Sequence, residues 1–262
     1  MIDYKSMLDF SGKTVVVSGG LGLIGKQVTL AFLQHNANVV VADIDENLFE
    51  RSFDPSEWEN KISFEKLDIS QQDSIESGIK DIINKYNIID ILINTAYPRT
   101  SDWGNKIETV NFESWDKNMQ MHLGGYFWIS KIVLEIMKKN KSGCLINIGS
   151  HYGVVGPNFS IYEGTHMTMP VAYSAIKGAI VNLTRYLATY YGPHNIRVNC
   201  VCPGGVFDNQ DEIFVSKYCK LTPLNRMAND YEIAMPVLFM ASEAASYMTG
   251  QIIMVDGGLT AW

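Results

Sequence analysis

Apolar positions along this chain fall into short β-branched runs that alternate with longer stretches of helical spacing. Lys13–Ser18 (K-T-V-V-V-S), Asn38–Ala42 (N-V-V-V-A), Ile62–Leu67, Ile88–Ile93, Cys144–Ile148, Ile196–Val201 and Gln251–Val255 each read as a strand. Near-continuous valine, rather than strict alternation, marks strands covered on both faces, as in a parallel sheet. Between the strands, apolar residues recur three and four apart. Ile75, Ile79, Ile82 and Ile83 keep that spacing up to Tyr86, with Ser70 and Asp73 suited to the helix start, and further helices are predicted up to Gln34, over Phe112–Lys139, Val171–Tyr191 and Tyr231–Ala241. Strand and helix in steady alternation predict an α/β, doubly wound chain: a seven-stranded parallel sheet with helices on both faces. A length of 262 residues, with no linker, repeat or low-complexity tract, suits one domain spanning 1–262.

Composition narrows the partners. Hydrophobic residues make up 47% and charged ones 19%, which is globular, and a net charge of −7 without a basic cluster argues against nucleic acid or an anionic membrane. The N-terminal stretch lacks a signal-like apolar run and no later segment could span a bilayer, so a cytoplasmic protein is expected. Cys144, Cys200, Cys202 and Cys219 form no C-x-x-C pair; they read as reduced core residues, and no metal site is expected.

Candidate chemistry begins after the first strand. Ser18, Gly19, Gly20, Leu21, Gly22, Leu23, Ile24 and Gly25 lead directly into a helix, the context in which a glycine-rich turn lets backbone approach a pyrophosphate. The second strand ends at Asp43, where a carboxylate can accept from both ribose hydroxyls and would repel a 2′-phosphate, favouring NAD over NADP; alternatively, Asp43 caps the next helix. Asp68 and Ile69 follow the third strand, placed to meet an adenine edge, and Ser150 follows the fifth, on the rim where ligands lie in open parallel sheets. Tyr173 and Lys177, four apart, project from one face of the predicted Val171–Tyr191 helix. A phenol titrates at ~10, and a cation beside it favours the phenolate, bringing it towards use as a general acid or base.

Together these segments resemble the short-chain dehydrogenase/reductase family in its compact, single-domain branch. The resemblance spans nearly the whole chain and rests on the turn Gly19 to Gly25, N-T-A at Asn94 to Ala96, Ser150 after I-N-I-G, Tyr173 with Lys177, N-C-V-C-P-G at Asn199 to Gly204, and V-D-G-G at Val255 to Gly258. It implies a Rossmann-like fold and a hydride-transferring oxidoreductase. Ser150 would hydrogen-bond the substrate oxygen, Tyr173 would be the general acid/base, and Lys177 would hold the nicotinamide ribose. Cofactor contacts are implied at Gly19, Gly22, Leu23, Ile24, Gly25, Asp43, Ile44, Asp68, Ile69, Asn94, Thr95, Ala96, Lys177, Pro203, Gly204 and Val206.

Several departures are particular to this chain. Its glycines read G-x-x-G-x-x-G where the compact branch has G-x-x-x-G-x-G, with Leu23 in a glycine's place; Tyr97 also replaces a glycine, and the threonine expected after Pro203-Gly204 is absent, with Asp208 nearby. His122 aligns with the family's catalytic asparagine, and its imidazole either packs or joins a proton relay. Ser150 and Tyr173 lie 23 positions apart (173 − 150), longer than the family's usual spacing. The elongated loop 151–170 therefore supplies candidate substrate residues: His151, Tyr162, Glu163 and His166, with Tyr97 across from them, or else it packs on a neighbouring subunit. Its run Y-E-G-T-H-M-T-M-P is similar to that of bacterial oxidoreductases in surface-sugar pathways, notably flagellin nonulosonate synthesis, which implies a sugar-like substrate. Phe207 to Thr222 reads as a mobile substrate flap. Ala172, Ala175 and Ala179 form a small-residue edge, and with the long Phe112–Lys139 helix and Trp262 they suggest a homodimer or homotetramer. A sugar epimerase or dehydratase that retains NAD, and a non-catalytic NAD sensor, stay open as alternatives.

Overall fold

A computed structural model describes residues 3–262. Seven strands, β1 (Thr14–Ser18), β2 (Asn38–Asp43), β3 (Ile62–Lys66), β4 (Ile91–Asn94), β5 (Gly143–Ile148), β6 (Ile196–Pro203) and β7 (Ile252–Val255), form one sheet in the order β3-β2-β1-β4-β5-β6-β7. Every pairing is parallel. The order reverses between β1 and β4, and that switch opens a crevice beyond their carboxyl ends.

Among the described residues the α-helices are α1 (Leu23–Gln34), α2 (Glu46–Ser52), α3 (Gln72–Tyr86), α4 (Phe112–Asn118), α5 (Gly125–Asn140), α6 (Val171–Tyr191), α7 (Glu212–Leu221) and α8 (Tyr231–Ala241). Successive strand residues feed opposite layers, as pleating requires. Val16, Val40, Leu92 and Leu145 pack with Ile129 of α5 and Ile180 of α6. Val15, Val41, Ile93 and Ile146 pack on the other face with Phe32 of α1 and Val237 of α8. That division is why the strands read as unbroken apolar runs.

Three features differ from expectation. The predicted Phe112–Lys139 helix is interrupted by a π-helical segment, Met119–Gly124, which carries His122. The predicted flap contains the ordered helix α7, whose Phe214 and Tyr218 join Ile161, Tyr162 and Met227 in a third, small apolar cluster apart from the two main ones. Ala172 is buried in the core rather than lying on an open edge, because it is on α6's sheet-facing side with Ile176 and Ile180.

Candidate active site

A cleft of about 840 Å³ lies over the β1/β4 switch. At one end, Gly19 adopts φ +72°, and a side chain there would collide with Ala96. Gly25 lies so close to the Gly19 carbonyl that a Cβ has no room. Thr95 pins the turn by donating its hydroxyl to the Ser18 and Gly19 carbonyls at 2.7 and 3.0 Å. Helix α1 begins at Leu23 with Gly22 as its cap residue and no side-chain cap, leaving the helix-start N–H groups to an anion in the cleft. Asp43 accepts from the Leu21 amide at 3.1 Å, which holds the carboxylate at the cleft wall. It does not cap α2: Asp45 does, accepting from the Leu48 amide at 2.9 Å. These residues fit a dinucleotide, with its pyrophosphate at the uncapped turn and its ribose at Asp43.

At the other end β5 delivers Ser150, whose hydroxyl accepts from the Tyr152 amide at 3.1 Å. Helix α6 brings up Tyr173 and Lys177, and all three side chains line the cleft. The Lys177 ammonium is buried, donates to the Ile148 carbonyl at 2.8 Å, and lies 5.7 Å from the Tyr173 ring centroid. Burial draws the amine down to about 8. Burial also raises the phenol of Tyr173, while hydrogen bonding with Ser150 pulls the other way. The expected lowering of the phenol by the cation is therefore not found, because desolvation penalises both charged forms more than their proximity helps.

Of the predicted cofactor residues, Gly19, Gly22, Leu23, Ile24, Gly25, Asp43, Ile44, Asp68, Ile69, Thr95, Ala96, Lys177, Pro203, Gly204 and Val206 line the cleft. Asn94 does not. It is fully buried beneath the rim, accepts from the Ser18 hydroxyl and donates to Ser130 and Asn147, so its side chain ties β1, β4 and β5 together. His122 is also outside the lining. Its buried ring packs 5.4 Å from Tyr97 and 5.2 Å from Tyr126, neither nitrogen has a partner, and burial drives its pKa well down. The ring is therefore packed among aromatic side chains.

Tyr97, His151 and Tyr162 line the cleft, but Glu163 and His166 are exposed and stand outside it. The reason is local. The turn Phe159–Tyr162 buries Ile161 and Tyr162 against α7, which directs the following residues outward, and Lys217 of α7 then donates to the Glu163 carbonyl at 2.7 Å. Arg99, Tyr152, Met169, Phe214 and Tyr218 line the cleft without having been singled out from sequence. Tyr152 and Met169 fall within the elongated loop 151–170, and Phe214 and Tyr218 within the predicted flap.

All four cysteines are free, with Cys200 and Cys202 Sγ atoms 3.7 Å apart under the site. Among the described residues no helix is long and apolar enough to cross a membrane, and no group of His, Cys, Asp and Glu is arranged to hold a metal.

A doubly wound sheet with a glycine turn at its switch point and Ser, Tyr and Lys side chains over the adjoining strand ends defines a nucleotide-dependent oxidoreductase. The chain belongs to the short-chain dehydrogenase/reductase family: the model described as enoyl-(acyl carrier protein) reductase matches residues 22–260. Flagellin modification protein A of Campylobacter coli is 35% identical over 251 residues, covering 94% of this chain and 97% of that protein. A 3-oxoacyl-acyl-carrier-protein reductase of Thermotoga maritima is 32% identical over 253 residues, covering 95% and 98%. The crystal structure of a short-chain dehydrogenase from Leptospira borgpetersenii with bound NAD+ superposes with a TM-score of 0.89 at 32% identity, over 99% and 97% of the two chains.

Proposed function

We propose that this oxidoreductase uses NAD in preference to NADP to interconvert a secondary alcohol and a ketone on a small polar molecule, a sugar or sugar derivative in bacterial surface-glycan synthesis. The observation that carries the reading is the convergence of Ser150, Tyr173 and Lys177 at the cleft end opposite the uncapped glycine turn. NAD, when bound, supplies the hydride acceptor or donor. The Tyr173 hydroxyl takes the alcohol proton or returns it to the ketone oxygen, and the Ser150 hydroxyl orients that oxygen. Lys177 holds the nicotinamide ribose and its positive charge favours the deprotonated phenol in the reacting complex. Gly19, Gly22 and Gly25 admit the pyrophosphate, Asp43 takes the ribose hydroxyls, and Asn94 is a brace beneath them.

The NAD preference is supported by charge at the adenosine end. Asp43, Asp45 and Asp68 line it, whereas the cleft's Lys and Arg residues, Lys177 and Arg99, belong to the opposite end. A sugar-like substrate is supported by the polar and aromatic side chains His151, Tyr152, Tyr162 and Gln210 in the lining and by the likeness to the flagellin modification protein. Free cysteines suit a reducing cytoplasm, and strongly exposed Phe112 and Trp262 suit burial between copies in a homodimer or homotetramer.

Protein, NAD or NADP, and a panel of sugar phosphates, nucleotide sugars and simple secondary alcohols, followed by absorbance of the reduced nicotinamide, test the reading. Net NADH formation with a sugar derivative is expected. Binding of NAD with no turnover across the panel and its keto counterparts would overturn it.

A further inference from the structure

We propose that Arg99 is the seat for an anionic group, a carboxylate or phosphate, on the molecule that this cleft binds. The proposal rests on the oxidoreductase reading above for what is bound, though not for where the anion lies. Two cationic residues, Lys177 and Arg99, line the cleft among the described residues. Lys177 is buried and committed to the Ile148 carbonyl. Arg99 is exposed at the mouth, and none of the ion pairs among the described residues involves it.

Arg99 is nevertheless held in place. Its guanidinium lies 5.2 Å from the Tyr97 ring centroid. The Tyr97 hydroxyl accepts from the Trp103 indole at 2.8 Å, and both rings stand edge-to-face with Tyr173, at 5.7 and 6.3 Å between centroids. One aromatic ring therefore separates the guanidinium from the reactive phenol, a span that a short carbon chain can bridge. The Tyr97 hydroxyl engages one guanidinium N–H, and the rest of the planar fork, which has no other hydrogen-bond partner among the described residues, matches a carboxylate or phosphate in two parallel hydrogen bonds. Tyr97 stands where the family pattern has glycine, so the brace departs from that pattern.

The surrounding charge sharpens the choice. The cleft carries Asp43, Asp45 and Asp68 at its adenosine end and Asp208 at the start of the flap, and the whole chain has a net charge of −7. With carboxylates along the cleft and Lys177 committed to the Ile148 carbonyl, the exposed cation that meets an anion approaching the reacting end is Arg99 on the Tyr97 wall, so Arg99 selects both the charge of the substrate and its orientation.

The test uses the full-length protein saturated with NADH, which fills the pyrophosphate seat, titrated by calorimetry with malonate, with inorganic phosphate and with neutral malonamide. Saturable binding of malonate or phosphate is expected, about tenfold or more weaker in Arg99→Gln, partly retained in Arg99→Lys, and absent for malonamide. Comparing malonate with phosphate tells carboxylate from phosphate recognition. NADH affinity should be equal in all three proteins. Equal anion binding by Arg99→Gln, no saturable anion binding by the wild type, or anion binding that merely competes with NADH would overturn the proposal. Failure of NADH itself to bind would instead count against the proposed function, and the same titrations on the free protein would still report on Arg99.

Discussion

Replacing Lys177 with methionine should make the protein more stable at neutral pH while removing its turnover. The side chain is almost wholly buried, and burial lowers its amine from 10.5 to about 8. At 1.36 kcal/mol per pH unit, keeping the charge in the folded state costs about 3 kcal/mol at pH 7. Methionine has similar length and no charge, but it abandons the hydrogen bond to the Ile148 carbonyl, worth about 1 kcal/mol. The net expectation at pH 7 is a gain of about 2 kcal/mol, or roughly 4–8 °C in Tm for a chain of this size. Below pH 8 the lysine is protonated both folded and unfolded, so the full penalty persists. Between pH 8 and 10.5 the folded protein binds fewer protons than the unfolded chain, so wild-type stability rises with pH relative to the variant. Above 10.5 the penalty is gone and the lost hydrogen bond should leave Lys177→Met slightly less stable. Urea midpoints of both proteins at pH 7, 8, 9 and 10 measure this gap. A gap that stays constant or widens with pH would refute the assignment of a buried, desolvated ammonium.

Tyr173→Phe should bind NADH as the wild type does, since the ring and its contacts with Tyr97 and Trp103 remain, yet lose about 10²–10⁴ in kcat, read by single-turnover kinetics. Asp43→Ser should relax the preference for NAD by admitting a 2′-phosphate, and an unchanged ratio of kcat/KM for the two cofactors would remove the role given to that carboxylate. His122→Leu should stabilise the fold by about 1–3 kcal/mol, because two unpartnered buried nitrogens are replaced by apolar surface; His122→Asn should leave the pH–rate profile unmoved, and a displaced profile would restore the relay.

The sheet was legible because its strands are covered on both faces: valines 15–17 and 39–41 serve both layers at once, and no other arrangement hides so continuous a run. The glycine turn was legible for a steric reason, since Gly19 and Gly25 stand where backbone meets backbone. Tyr173 and Lys177 were legible because helical spacing alone puts them on one face. The substrate side was harder. Glu163 and His166 looked chemically apt, but the direction of a loop residue is set by what its neighbours bury, and Ile161 and Tyr162 bury against a helix fifty residues further on. Asn94 was assigned to the cleft because its segment reaches the rim; the side chain follows the pleat inward to Ser130 and Asn147. Arg99 left no periodic signal, and its place follows only from the Tyr97 ring it leans on.

The small apolar cluster that joins Ile161 and Tyr162 to Phe214, Tyr218 and Met227 separates two evolutionary demands. Side chains there can be exchanged to reshape the chamber around the reacting carbon without loosening the layers that keep the sheet intact. Tyr162 and Phe214 line the cleft, whereas Tyr218 also takes the Gly205 amide beside the cofactor loop, so directed evolution towards a new alcohol should begin at the first two and leave Tyr218 in place.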